Sequence, residues 1–367
     1  MPLVEHSSLP TFHNLRREGQ TVLTPEEVAQ HRLPAVHVGL LNMMPDAAFQ
    51  VTERQFMRLV GSASQSTAYY VHCVTVEGLP RGEATQAYIA RHYRDLPALQ
   101  NGDIHALIVT GTNVANPRLE LEPFYRPLTN VIAWASENVS SVLCSCLATH
   151  ALLKSLHGVD RSLLPRKQWG VYRHRVAVPD HPLLRGLDAY VDVPHSRYNT
   201  ITRQQFEDVG LSILIDSAEA GVHAAVSDDQ FRRVYFQGHP EYDVNSLLKE
   251  YRREVLHYFY GKRDLPPFPE HYISEGAAPV IHDYLEAVHR AHGAHKTLPE
   301  FPEAEVVPYL VNTWAAGARA IFDNWLELVC RLTHGEGRPP FADGIDPRGP
   351  VDRRTAGWNT HGLSRSE

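Results

Sequence analysis

Only four cysteines stand among 367 residues (Cys73, Cys144, Cys146 and Cys330), too few for a disulfide framework. The closest two form Cys-Ser-Cys, which is not the spacing of a zinc half-site, so no metal centre is expected from them. Positive charge is scarce too. With 35 Lys+Arg against 42 Asp+Glu the net charge is −7, which excludes a protein that wraps nucleic acid through a basic surface. No apolar run approaches the roughly 20 residues that a membrane span needs. The opening MPLVEHSSLPTFHNLRREG lacks a basic stretch followed by an apolar core, so no secretory signal is expected. Internal repeats and low-complexity tracts are absent as well. What remains is 43% hydrophobic and 21% charged, enough to bury a core and too apolar for a disordered polymer. The expectation is a soluble globular protein of a reducing compartment, the cytoplasm.

Residues 1–34 are polar and punctuated by proline, and read as an N-terminal segment without sustained periodicity. The main unit spans 35–334. AVHVGLLN (Ala35 to Asn42) predicts a strand buried on both faces, followed by a helix with Phe56, Leu59 and Val60 at helical spacing. AYYVHCVTV from Ala68 and IHALIVTG from Ile104 predict two further strands. A helix after Pro127 places Leu128, Val131, Ile132 and Ala135 on one face. VSSVLCS from Val139 then predicts a strand that runs straight into the helix LATHALLKSLHG. Strands alternating with helices imply an α/β fold, a mostly parallel sheet with helices on both faces. After Gly170 the short segments GVYRHRVAV, LSILIDS, HAAVSD and RVYFQG predict an antiparallel extension or a second layer. C-terminal helices follow, over Val244 to Tyr260 and Asn312 to His334, separated by the Pro-rich DLPPFPE. Residues 335–367, rich in Gly, Pro and charge, predict a disordered tail.

The sharpest local feature is Cys146, where the apolar strand meets the helix. Open α/β sheets bind ligands at that edge, and a helix N-terminus supplies unpaired N–H groups that stabilise a thiolate or an oxyanion. On this strand alone, Cys144 and Cys146 read equally well as small buried hydrophobes. Gly238-His239-Pro240-Glu241 adds what a thiol nucleophile needs. Proline keeps His239 extended, so His239 and Glu241, two apart, face one way as base and orienting carboxylate. Cys146, His239 and Glu241 together make a candidate triad. His289, His292 and His295, spaced by three, match no carboxylate or cysteine at metal-ligand intervals and read as a solvated helix end.

GLLNMMP at 39–45, TERQF at 52–56, VTG at 109–111, the Cys146 turn, PHSRYN at 194–199 and GHPEYD at 238–243 resemble the homoserine O-acyltransferases of methionine biosynthesis. That family includes the homoserine O-succinyltransferases, and its fold is flavodoxin-like, of the class I glutamine amidotransferase type. The resemblance implies Cys146 as acyl-thioester nucleophile, His239 as proton acceptor and Glu241 as third triad member. It implies substrate-binding roles for Lys167, Ser196 and Arg253, and places the residue that selects the acyl donor at Ala115, where alanine favours succinyl. It further implies a homodimer acting on L-homoserine and acyl-CoA with no cofactor beyond the acyl-CoA co-substrate and no metal. The expected reaction is ping-pong transfer of succinyl from succinyl-CoA to homoserine, with acetyl-CoA, serine as acceptor, or amide hydrolysis as alternatives. Cys146-Leu-Ala-Thr-His departs from the Cys-Trp-Gly/Ala-Ala-Gln of the family, and Asp46-Ala47 stands where lysines are usual.

Overall fold

The computed structural model describes residues 2–62, 66–293 and 297–334; the segment 335–367, read above as a tail, lies outside them. Among the described residues eleven strands form one sheet: β1 Leu3–Val4, β2 Val22–Leu23, β3 Ala35–Leu41, β4 Ala68–Val74, β5 Ala106–Val109, β6 Ser141–Ser145, β7 Ser162–Val176, β8 Tyr190–Thr200, β9 Ser212–Ser217, β10 Gly221–Val226 and β11 Arg233–Phe236. Their order is β2-β1-β4-β3-β5-β6-β11-β10-β9-β7-β8. From β2 to β11 every neighbouring pair is parallel, and from β11 outward to β8 every pair is antiparallel. The expected mostly parallel α/β sheet with an antiparallel extension is what forms.

The apolar runs become central strands because both their faces are covered. Along β5, Ala106 and Ile108 join one core while Leu107 and Val109 join the other. The first core is closed by helices Pro10–Arg17, Phe49–Gly61 and Ala315–His334 through Phe12, Phe56 and Trp325; the second by Tyr125–Asn138 and Leu147–His157 through Val131 and Leu152. A third cluster seats helix Ser246–Phe259 through Leu247 and Tyr251 against Trp169 and Val171 of β7.

Three elements differ from the sequence reading. RVYF is β11, and it pairs parallel with β6, putting Phe236 opposite Ser145. Tyr190–Thr200, to which the sequence reading assigned no element, forms β8 along β7; Pro194 is tolerated because β8 is the edge strand. Residues 2–34 are part of the fold, since Leu3 pairs with Tyr69 of β4 and Phe12 and Leu15 are completely buried. Among the described residues no helix is long and apolar enough to cross a membrane.

The 22 histidines leave a mark on stability. Burial lowers the pKa of His72 and His150 to about 3 and of His174 and His181 to about 4, and holds His195 and His223 well below the ordinary value. Below about pH 6.5 the unfolded chain therefore takes up protons that the native state refuses, and stability falls as pH falls through that value. Each such group contributes up to about 2 kcal/mol of loss between pH 7 and 5. His239, held charged, and Glu53 and Asp323, whose carboxyls burial raises, work the other way, three groups against these six and the four further histidines that burial lowers, His6, His37, His105 and His157. Thermal unfolding at pH 5 is expected well below that at pH 7.5; an unchanged Tm would contradict it.

Candidate active site

Cys146 is the single residue between the end of β6 and helix Leu147–His157, with φ 52° and ψ −112°. A non-glycine residue holds this conformation only where its surroundings impose it. Here they do. The Cys146 N–H donates to Phe236 O at 2.8 Å, and the Thr149 hydroxyl donates to Cys144 O and Phe236 O at 3.0 and 2.9 Å. The end of β11 thus clamps the turn, and Cys146 is partly exposed while Cys144 is fully buried. The Leu147 N–H opens the helix and has no partner within it. Gly111, at the end of the β5 loop, leaves the thiol uncovered: a Cβ there would lie 3.4 Å from the Cys146 Cβ and 3.5 Å from the Leu147 nitrogen.

The same β6–β11 register carries GHPEYD to the cysteine. The His239 N–H donates to Pro194 O of β8 at 2.7 Å, and its Nδ1 bonds Glu241 Oε1 at 2.8 Å. The ring stacks on Tyr242 with centroids 4.4 Å apart. Burial works against the charged ring, but Cys146 and Glu241, through their charges and hydrogen bonds, hold the His239 pKa well above its ordinary value. With Nδ1 bound to Glu241, the other ring nitrogen is the one left for the cavity that Cys146 also lines. The arrangement can pass a proton between the thiol and an incoming hydroxyl or leaving thiolate.

A cavity of about 330 Å³ opens over this triad, lined by Cys146, His239, Ser196, Glu250 and Arg253 among others. Glu250 is its hub. One oxygen accepts from Ser196 Oγ at 2.5 Å, Trp169 Nε1 at 3.1 Å and Lys167 Nζ at 3.3 Å, and the other from Tyr242 OH at 2.6 Å. Burial opposes its charge, yet Lys167 and these donors keep its pKa below the usual carboxylate value, so Glu250 is an anion at neutral pH. Lys167 lies over the Trp169 ring at 3.8 Å, and burial lowers its pKa against the pull of Glu250. Arg253 is half exposed at the cavity mouth, 3.6 Å from Glu254.

Six of the seven residues singled out from the sequence therefore gather at one place, Lys167 through its bond to Glu250. Ala115 does not line the cavity: it is exposed, and its N–H donates to Glu122 at 2.6 Å. His289 and His292 bond Tyr258 OH and Phe259 O, each at 3.0 Å, and so fasten one helix to its neighbour; His295 lies outside the described residues. Among the described residues no cluster of three metal-ligating side chains forms.

The family model described as homoserine O-succinyltransferase matches residues 2–334. The chain belongs to the homoserine O-succinyltransferase family. It is 51% identical to the homoserine O-succinyltransferase of Methylococcus capsulatus over 352 residues, 96% of this chain and 99% of that one. It is 49% identical to that of Thiothrix nivea over 355 residues and 43% identical to that of Cardiobacterium hominis over 354, with the same coverage of 96% and 99%. Among solved structures it is similar to a glutamine amidotransferase of Methylobacillus flagellatus at 15% identity, covering 80% of this chain and 95% of that one, with a TM-score of 0.46. The family match takes in residues 2–34, as the packing of Phe12 and Leu15 requires. Within this family member, the residue that sequence reasoning missed is Glu250. Its signal was a carboxylate one helical turn before Arg253, on the same face of helix Ser246–Phe259.

Proposed function

We propose that this chain transfers the succinyl group of succinyl-CoA to the hydroxyl of L-homoserine in two half-reactions through a Cys146 thioester. The observation that carries the reading is the Cys146–His239–Glu241 set at the floor of a cavity whose wall holds both an anion, Glu250, and a guanidinium, Arg253. In the first half-reaction the Cys146 thiolate attacks the thioester carbonyl, and the CoA thiolate leaves with the proton held by His239. In the second, neutral His239 takes the homoserine hydroxyl proton as that oxygen attacks the acyl-enzyme, and the thiolate returns. Glu241 holds the ring and balances its charge. The unpaired Leu147 N–H suits the oxyanion formed in each step. The Arg253 fork suits the α-carboxylate of the amino acid and Glu250 its ammonium.

The names of the relatives support succinyl over acetyl as the donor. Initial rates with both substrates varied test this reading. Parallel double-reciprocal lines with succinyl-CoA, and much lower kcat/KM with acetyl-CoA, are expected; intersecting lines would show a ternary complex instead. Arg253→Lys is expected to raise the homoserine KM about tenfold or more while leaving the succinyl-CoA KM near wild type, since lysine keeps the charge and loses the fork. Equal effects on both substrates would assign Arg253 to structure.

A further inference from the structure

A second and larger cavity, about 560 Å³, adjoins the catalytic one and shares Tyr242 and Lys249 with it. The reaction as read above leaves it unused. Four of its lining residues are cations: Arg54 and Arg58 from helix Phe49–Gly61, Lys249 from helix Ser246–Phe259 and Arg319 from helix Ala315–His334. Two are carboxylates, and one of these, Glu241, is turned to His239. The other, Asp243, holds Arg54 at 3.1 Å and also pairs with Arg58, and Glu18 lies 3.4 and 3.5 Å from the same two guanidinium groups, so their charge is matched and the surplus rests on Lys249 and Arg319. Lys249 and Arg319 form no ion pair among the described residues. In a chain of net charge −7, a three-helix cavity with a local surplus of cations is built for a strongly anionic group.

We propose that this cavity is the subsite for the phosphate-bearing nucleotide end of the acyl-CoA donor. The proposal rests on the acyl-CoA reading above. A donor lying there runs its thioester arm past Tyr242 and Lys249, the residues common to both cavities, to reach Cys146. Arg54 belongs to the TERQF motif, so the subsite also gives that motif a task.

The test compares succinyl-CoA with S-succinyl-N-acetylcysteamine, which carries the same thioester and no phosphate, on wild type, Arg319→Ala and Arg319→Glu. Arg319 is exposed and lies outside the catalytic cavity, so folding is expected to be unaffected, with Tm as the control. Arg319→Glu is expected to raise the succinyl-CoA KM about tenfold, Arg319→Ala less, and neither to change kcat/KM for the truncated donor. Adenosine 3′,5′-bisphosphate is expected to compete with succinyl-CoA and not with the truncated donor. Equal effects on both donors, no effect on either, or non-competitive binding of the bisphosphate would overturn the subsite while the acyl-CoA reading stands. Failure of wild type to become acylated by either donor would overturn that reading instead, and the subsite with it.

Discussion

Cys146→Ala should abolish both the succinyl-enzyme and turnover, with kcat down by about 10⁴ or more, whereas Cys144→Ala should keep most of the activity. The two thiols are two residues apart, and their surroundings are opposite. Cys146 sits on the clamped turn at the sheet edge, lining one cavity with His239 and with the helix N-terminus beside it. Cys144 is completely buried inside β6, where burial pushes its thiol up and keeps it protonated. Truncating Cys144 removes one small buried group and costs about 1 kcal/mol of stability, a loss that leaves the site geometry in place. Intact mass and initial rates on both variants decide between them. Acylation of Cys146→Ala would move the nucleophile to Cys144.

Glu250→Ala should lower kcat/KM for homoserine by at least about a hundredfold, near 3 kcal/mol, while the first half-reaction with succinyl-CoA persists. The substitution strands Lys167, Ser196, Trp169 and Tyr242, all of which converge on that one carboxylate. An unpaired ammonium in a mostly buried place costs more than the lost bonds alone. It also removes the anion proposed for the amino acid's ammonium. Glu250→Gln keeps an oxygen for part of the donor set but carries no charge, so it should keep the fold and lose most of the homoserine affinity. Single-turnover acylation measured apart from deacylation checks this split. If both half-reactions fell together in Glu250→Gln, the carboxylate would be structural and the amino-acid pocket would lie elsewhere.

The central sheet was legible because its strands are apolar on both faces: β3, β5 and β6 have no polar alternation to confuse with a half-exposed strand. The triad was legible because each member sits next to a chain signal: an abrupt strand-to-helix turn for Cys146, and a proline between His239 and Glu241. β8 was not, since Pro194 and its polar neighbours argue locally for a loop; only its long pairing with β7 makes it a strand. Residues 2–34 hid for a related reason. Pro10 and Pro25 read as breaks, but both stand in the first turn of a helix, where proline costs nothing. Glu250 had only its place one helical turn before Arg253 to mark it, because its four partners come from β7, β8 and the GHPEYD turn, and no spacing along the chain brings them together. The buried histidines mislead in the other direction: His195 and His223 pack against each other under Gly238, where a Cβ would come within 2.9 and 3.0 Å of them, so they fill space below the triad.

The most direct test of the whole account is the intact mass of the protein mixed with succinyl-CoA in the absence of homoserine. A covalent gain of about 100 Da is expected, located on Cys146 by peptide mapping and discharged when homoserine is added, with O-succinylhomoserine released. No adduct on the wild-type chain under conditions where product forms on adding homoserine would contradict a Cys146 thioester, and with it the two-step transfer.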